Sequence, residues 1–177
     1  AFERARKVDT IIFDKTGTLT EGRFGVTDVF VLGDKDADEI LRTAASLESQ
    51  SEHPIAQGIT DAAKEKGLDL TTPEDFKAIS GKGAQAEVNG KSVKVVSKGY
   101  LKENDLSVEN KNIDQIAEQG KTVVYVLIDD SVEGAIALAD IIRKDSRQAL
   151  DKLKNMGMKV MMITGDTHAV AKWVADE

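Results

Sequence analysis

The chain has no cysteine, so neither a disulfide framework nor a CxxC metal site can be built from it. It also has no surplus of positive charge: 31 acidic residues against 24 lysines and arginines leave a net charge of -7. That balance argues against a nucleic-acid or anionic-membrane footprint, which needs a basic face to neutralise phosphates. Any phosphate ligand has to be held locally, by backbone N–H groups, a metal ion or a few lysines. Nowhere does an apolar run approach the ~18 residues needed to cross a bilayer, and the opening AFERARKVD lacks the apolar segment of a leader peptide. The polypeptide is expected to be soluble and cytosolic. Its 177 residues allow one large domain or two small ones, hiding roughly 70% of the unfolded surface.

What the chain does have is the run Asp14-Lys15-Thr16-Gly17-Thr18-Leu19-Thr20, directly after the apolar stretch Val8 to Phe13. A carboxylate at the carboxyl end of a buried strand, followed by a turn of small residues, is placed to attack a phosphorus atom. A second apolar run, Lys159 to Thr164, ends in Thr164-Gly165-Asp166. Between them Ala149, Leu150, Leu153 and Met156 share a helical face within Ser146 to Met156, with Ser146 or Asp145 as cap and Gly157 as stop. Strand, helix, strand is the repeat of a parallel sheet, whose ligands gather beyond the carboxyl ends of the strands.

The middle of the chain has a different pattern. Ala37 to Ser49 and Pro54 to Lys66 have helical spacing, the second opening on proline and closed by Gly67. Ala84 to Val88 and Ser92 to Val96 flank Asn89-Gly90, a dipeptide suited to the positive backbone angles of a tight hairpin. A helix is predicted over Val108 to Gln119, ended by Gly120, and Thr122 to Ile128 and Val132 to Leu138 flank a second hairpin at Asp129-Asp130-Ser131. An antiparallel sheet with helices is thus inserted into an α/β domain contributed by both ends of the chain, with joints near Gly22 to Thr27 and at Gly134.

The string DKTGTLT resembles the phosphorylation signature of the P-type ATPases, and four further features extend the likeness along the chain. Ser51-Glu52-His53-Pro54 resembles the SEHP motif of the heavy-metal class, and Gly81-Lys82-Gly83 falls where that class has a GxG loop. Asp140-Ile141-Ile142-Arg143 is similar to the segment that rejoins the phosphorylation domain, and Thr164-Gly165-Asp166 to the TGD motif. The chain therefore resembles the ATP-binding and phosphorylation region of a heavy-metal pump, most of all the copper-transporting group, with zinc or cadmium as alternative cargoes.

The resemblance implies a partial haloacid dehalogenase-like phosphorylation domain, a Rossmann-type parallel sheet incomplete at its carboxyl-terminal side, over residues 1–24 and 134–177. It also implies an inserted α+β nucleotide-binding domain over 25–133. Asp14 is then the nucleophile toward ATP, and Mg2+ is held by the Asp14 carboxylate and the Thr16 carbonyl, oxygen ligands for a hard cation. Thr164 and Gly165 offer a hydroxyl and an N–H to the transferred phosphoryl, and Asp166 orients the site. Lys15 either supplies charge beside the nucleophile or faces solvent as most lysines do. Glu48 and His53 become adenine-site residues, His53 sitting at a helix N-terminus where the dipole disfavours imidazolium. Gly81 and Gly83 mark where a side chain would block the nucleotide's approach.

Thr16 separates two classes of enzyme. Soluble haloacid dehalogenase-like phosphatases usually carry a second aspartate there, as general acid and base for rapid turnover, so threonine predicts an aspartyl-phosphate that persists. A soluble phosphatase and a non-catalytic nucleotide-binding module are the alternative readings. Many copper pumps have Gly-Asn where this chain has Ser97-Lys98, so no nucleotide contact is assigned there; His168 is expected on a solvated helix face and Trp173 in a core or interface. The family's later GDGxND motif and its membrane helices are not in this sequence. Nucleotide binding without full turnover is expected, with transmembrane and actuator domains as partners and an exposed sheet edge open to self-association.

Overall fold

The computed structural model describes residues 8–177; the amino-terminal stretch read as lacking a leader segment lies largely outside them. Among the described residues the chain forms two compact units, one from the residues up to Arg23 with Asp140–Glu177, the other Phe24–Ala139.

The first unit is a parallel pair of strands with helices. β1 (Thr10–Asp14) pairs with β8 (Lys159–Ile163), Thr10 opposite Lys159 and Asp14 opposite Ile163. Alternation puts Ile12, Met161 and Ile163 on an exposed face, at 60%, 45% and 62% exposure. α5 (Lys144–Asn155) precedes β8, and α6 (His168–Asp176) follows it, capped by the Thr167 hydroxyl, which accepts from the Val170 amide. His168 is exposed and Trp173 half-buried. The sequence predicts Ser146 or Asp145 as the cap of α5, but the helix begins earlier, at Lys144, with Arg143 as N-cap and no side-chain cap bond. Ser146 is instead buried, its hydroxyl donating to the Leu19 carbonyl oxygen at 2.9 Å. Tertiary contact has overridden local capping chemistry there.

The second unit is built on a six-stranded sheet in the order β2-β7-β6-β5-β4-β3. Its strands are β2 (Thr20–Val31), β3 (Glu74–Ile79), β4 (Gly83–Val88), β5 (Lys91–Ser97), β6 (Thr122–Ile128) and β7 (Ser131–Ile142), antiparallel from β3 through β7. β2 and β7 each begin or end in the first unit, so the connections between units are continuous strands. Both hairpins turn on two residues with positive φ, Asn89 and Gly90 in one, Asp129 and Asp130 in the other. Ser131, read as part of the second turn, already pairs with Ile128.

Helices cover both faces of this sheet. Val95, Val124, Val126, Ile136 and Leu138 pack with Ile40 and Leu47 of α1 (Ala37–Glu48) and Ile59 of α2 (Pro54–Glu65). Val96, Tyr125, Leu127 and Ala135, alternating with them along the same strands, pack with Leu101 of α3 (Lys98–Glu103) and Ile113 of α4 (Lys111–Glu118). Covering on both faces explains why β6 reads as an unbroken apolar run. α4 begins later than Val108 because Asn110 caps it, accepting from the Asn112 and Ile113 amides. Gly134, expected at a joint, lies inside β7, where a Cβ would stand 2.7 Å from Ile40 Cδ1 and 2.8 Å from the Phe30 carbonyl oxygen. Close packing, not bending, requires glycine there.

Candidate functional site

In the first unit, the parallel register sends the turns after Asp14 and after Ile163 out of the same end of the strand pair. Lys15–Leu19 is a kinked helical turn broken at Thr16 and at Gly17, whose φ of +77° places it in the left-handed region. The Asp14 side chain caps nothing and, among the described residues, makes no hydrogen bond or ion pair. It is an exposed carboxylate beside a rigid turn.

Lys15 is 4% exposed, which removes the solvent-facing alternative. Its ammonium lies 3.0 Å from Asp140 Oδ2 and 2.8 Å from Asp166 Oδ2. Burial alone lowers its proton affinity, but the bonds to Asp166 and Asp140 outweigh that and carry the pKa above the ordinary lysine value. The Lys15 bond in turn holds the Asp166 carboxyl below its usual range, against some desolvation and with help from Thr164. The Thr164 hydroxyl donates to Asp166 Oδ2 at 2.9 Å while accepting from the Asp166 amide at 3.1 Å. Gly165 between them is exposed, with open space where a Cβ would stand. Asp14, Lys15, Thr16, Thr164, Gly165 and Asp166 are therefore brought to one end of the strand pair.

Three residues that sequence reasoning gave no role hold this turn. Asp140 accepts from the Gly22 amide at 3.0 Å and from the Thr20 hydroxyl at 2.7 Å, with the Lys15 carbonyl oxygen also 3.0 Å from that hydroxyl. The Arg143 guanidinium donates to the carbonyl oxygens of Thr20 at 3.1 Å and Gly17 at 3.2 Å, and its amide to that of Leu19 at 3.0 Å. Asp140 and Arg143 had been noted as a motif and Thr20 closes another. Their motifs signalled importance, but only the fold shows that they brace the turn that follows Asp14.

In the second unit, Glu48, His53, Gly81 and Gly83 line one cleft of about 440 Å3, together with Phe76, Lys82, Val95 and Ser97. His53 is the N-cap of α2 with Pro54 as its first residue, and Nδ1 accepts from the Ile55 amide at 3.3 Å. That bond requires a lone pair on Nδ1. Glu48 is 6% exposed; burial raises its carboxyl from 4.5 to about 7, partly opposed by a hydrogen bond with Ser51. It is a carboxyl poised between donor and acceptor in a largely apolar wall. A Cβ at Gly81 would meet only open space, whereas one at Gly83 would stand 2.0 Å from the Val95 carbonyl oxygen. Gly83 is thus demanded by the approach of β5 to β4, whatever occupies the cleft.

A model of the haloacid dehalogenase-like hydrolases matches residues 8–177. The chain belongs to that family. Among its members it matches the catalytic region of P-type ATPases. The copper-exporting P-type ATPase B of Archaeoglobus fulgidus is 52% identical over 177 residues, all of this chain and 25% of that protein. A crystal structure of a zinc-transporting PIB-type ATPase in its E2·Pi state superposes with a TM-score of 0.87 at 34% identity, covering 99% of this chain and 29% of the other. The crystallised N-domain of a copper-transporting P-type ATPase superposes with a TM-score of 0.52 at 30% identity, covering 65% of this chain and 99% of that domain. The chain spans about a quarter of the length of the curated relative. No helix among its described residues is long and apolar enough to cross a membrane.

Proposed function

We propose that this haloacid dehalogenase-like chain is the ATP-binding and aspartyl-phosphorylation region of a heavy-metal-exporting P-type ATPase, with Asp14 as the phosphoryl acceptor. The observation that carries the reading is the unengaged Asp14 carboxylate beside a buried, doubly paired Lys15. An Asp14 oxygen attacks the γ-phosphorus of ATP, the bond from that phosphorus to the β,γ-bridging oxygen breaks, and ADP leaves with the electron pair. Lys15 stays protonated and offsets charge near the attacking group, while Asp166 fixes its position. Thr164 and Gly165 bound the space the phosphoryl enters, the Thr164 hydroxyl turning from Asp166 to donate to it.

The exposed groups at this site fit Mg2+. The Asp14 carboxylate and the Thr16 carbonyl are hard oxygen donors, and no group of three or more His, Asp or Glu side chains gathers as a metal cage among the described residues. Mg2+ is commonly held this way, by one or two protein oxygens completed by water and phosphate. When bound it supplies charge neutralisation at the phosphoryl group.

The inserted unit is the nucleotide-binding domain in this reading, over residues 25–133, with Glu48 and His53 toward adenine and Gly81 and Gly83 along the nucleotide. Residues 1–24 and 134–177 make the phosphorylation domain, and transmembrane and actuator domains of a membrane pump are the partners. Copper is the proposed cargo on the names of the curated relatives. Thr16, in the position where a phosphatase carries a general acid, favours a lasting phosphoenzyme over rapid ester hydrolysis.

A calorimetric titration with ATP, with and without Mg2+, tests the nucleotide site. Binding is expected to persist without Mg2+, to weaken in His53→Ala, and to weaken as much in His53→Asn, which retains an N-capping group. Absence of binding to the folded chain, or full affinity in both variants, refutes the assignment.

A further inference from the structure

Among the residues lining the nucleotide cleft, Lys82 is the sole cation, the other ionisable groups being Glu48 and His53. A nucleoside triphosphate brings several negative charges, and the cleft's remaining walls are apolar or neutral. The backbone of Lys82 is fixed: its amide donates to the Ile79 carbonyl oxygen at 2.9 Å, and its carbonyl oxygen accepts from the Ser97 amide at 2.8 Å. Its side chain is held by a single, solvent-exposed ion pair. The ammonium pairs with Glu103, the last residue of α3, and the two side chains are 36% and 59% exposed.

An ion pair so exposed contributes little, because water solvates both partners and holding two long side chains in one geometry costs entropy. A phosphate oxygen offers the same ammonium a charge-assisted bond from a group carrying more charge. Glu103 does not line the cleft, so Lys82 can turn from it toward a ligand without displacing any group that faces adenine.

We propose that Lys82 is a specificity-determining residue of the cleft. It exchanges Glu103 for the phosphate groups of a nucleoside phosphate, and Glu103 acts as a built-in competitor for the ammonium. The inference rests on the nucleotide reading above and adds what selects phosphorylated from unphosphorylated nucleosides.

The test compares ATP with adenosine by calorimetry at low salt, without Mg2+, on the unaltered chain, Lys82→Met and Glu103→Gln. The unaltered chain is expected to bind ATP more tightly than adenosine. Lys82→Met should lose roughly threefold to tenfold in ATP affinity, the size of one screened charge contact, with adenosine affinity unchanged, which also reports an intact fold. Glu103→Gln should bind ATP roughly twofold to threefold more tightly, by freeing the ammonium. Unchanged ATP affinity in Lys82→Met, an equal loss for both ligands, or adenosine bound as well as ATP by the unaltered chain overturns the role of Lys82 alone. If the unaltered chain binds neither ligand, the nucleotide reading itself fails and this inference with it.

Discussion

Glu48 is the residue whose chemistry depends most on where the fold puts it. Its carboxyl, moved from 4.5 to about 7 by burial, binds a proton in the folded chain over a range where the unfolded chain has released it. Stability therefore falls as pH rises from the ordinary carboxyl range toward neutrality, and levels off above about 7. The full difference is on the order of 3 kcal/mol. Glu48→Gln should remove this slope and leave the variant the more stable at about pH 8, read from urea midpoints across pH; parallel curves for the two proteins would contradict it. Glu48 could be picked from the sequence as a site residue by resemblance, but its burial could not, because that comes from the sheet and helices closing around the end of α1. The same holds for Lys15: its place beside Asp14 is plain in the sequence, while its bonds to Asp140 and Asp166 join residues far apart along the chain.

At the scale of elements, legibility followed burial. β4, β5, β6 and β7 occupy interior positions of the sheet and carry enough apolar residues to be read directly, whereas β2 and β3 are its two edges and were not anticipated. An edge strand buries less of itself and tolerates charges and glycine, so TEGRFGVTDVFV and EDFKAI lack a strong alternating signal. The short helix α3 was missed too, being too brief to show a period. This division has an energetic counterpart. Leu138, fully buried on interior β7, should cost about 2–5 kcal/mol when cut to alanine, whereas Val31, 48% exposed on edge β2, should cost no more than about 0.5 kcal/mol. Equal denaturant midpoints for Leu138→Ala and Val31→Ala would show that the sheet's centre is not where its stability lies.

For the whole molecule, both ends of the chain contribute to the unit that holds Asp14, and the inserted unit lies between them in sequence. The α/β character and the inserted sheet were legible because hydrophobic period and turn chemistry are local; the strands that cross between the units were not, since their pairing is set at long range. Lys15 and Asp140 are 125 positions apart. Bringing such a pair together from an unfolded chain costs roughly 4 kcal/mol in loop entropy. β2 and β7, however, are neighbours in the inserted sheet; once that sheet forms, their continuations emerge close together and most of this cost is already met. This topology predicts that folding is ordered in time. In pulsed hydrogen exchange during refolding, amides of β5 and β6 should gain protection before those of β1 and β8, and the reverse order would exclude this sequence of events. On that order Asp14 meets its lysine network only in a molecule whose inserted sheet is already built, so a chain with a misfolded insert is left without the Lys15–Asp140–Asp166 cluster: the topology would act as proofreading.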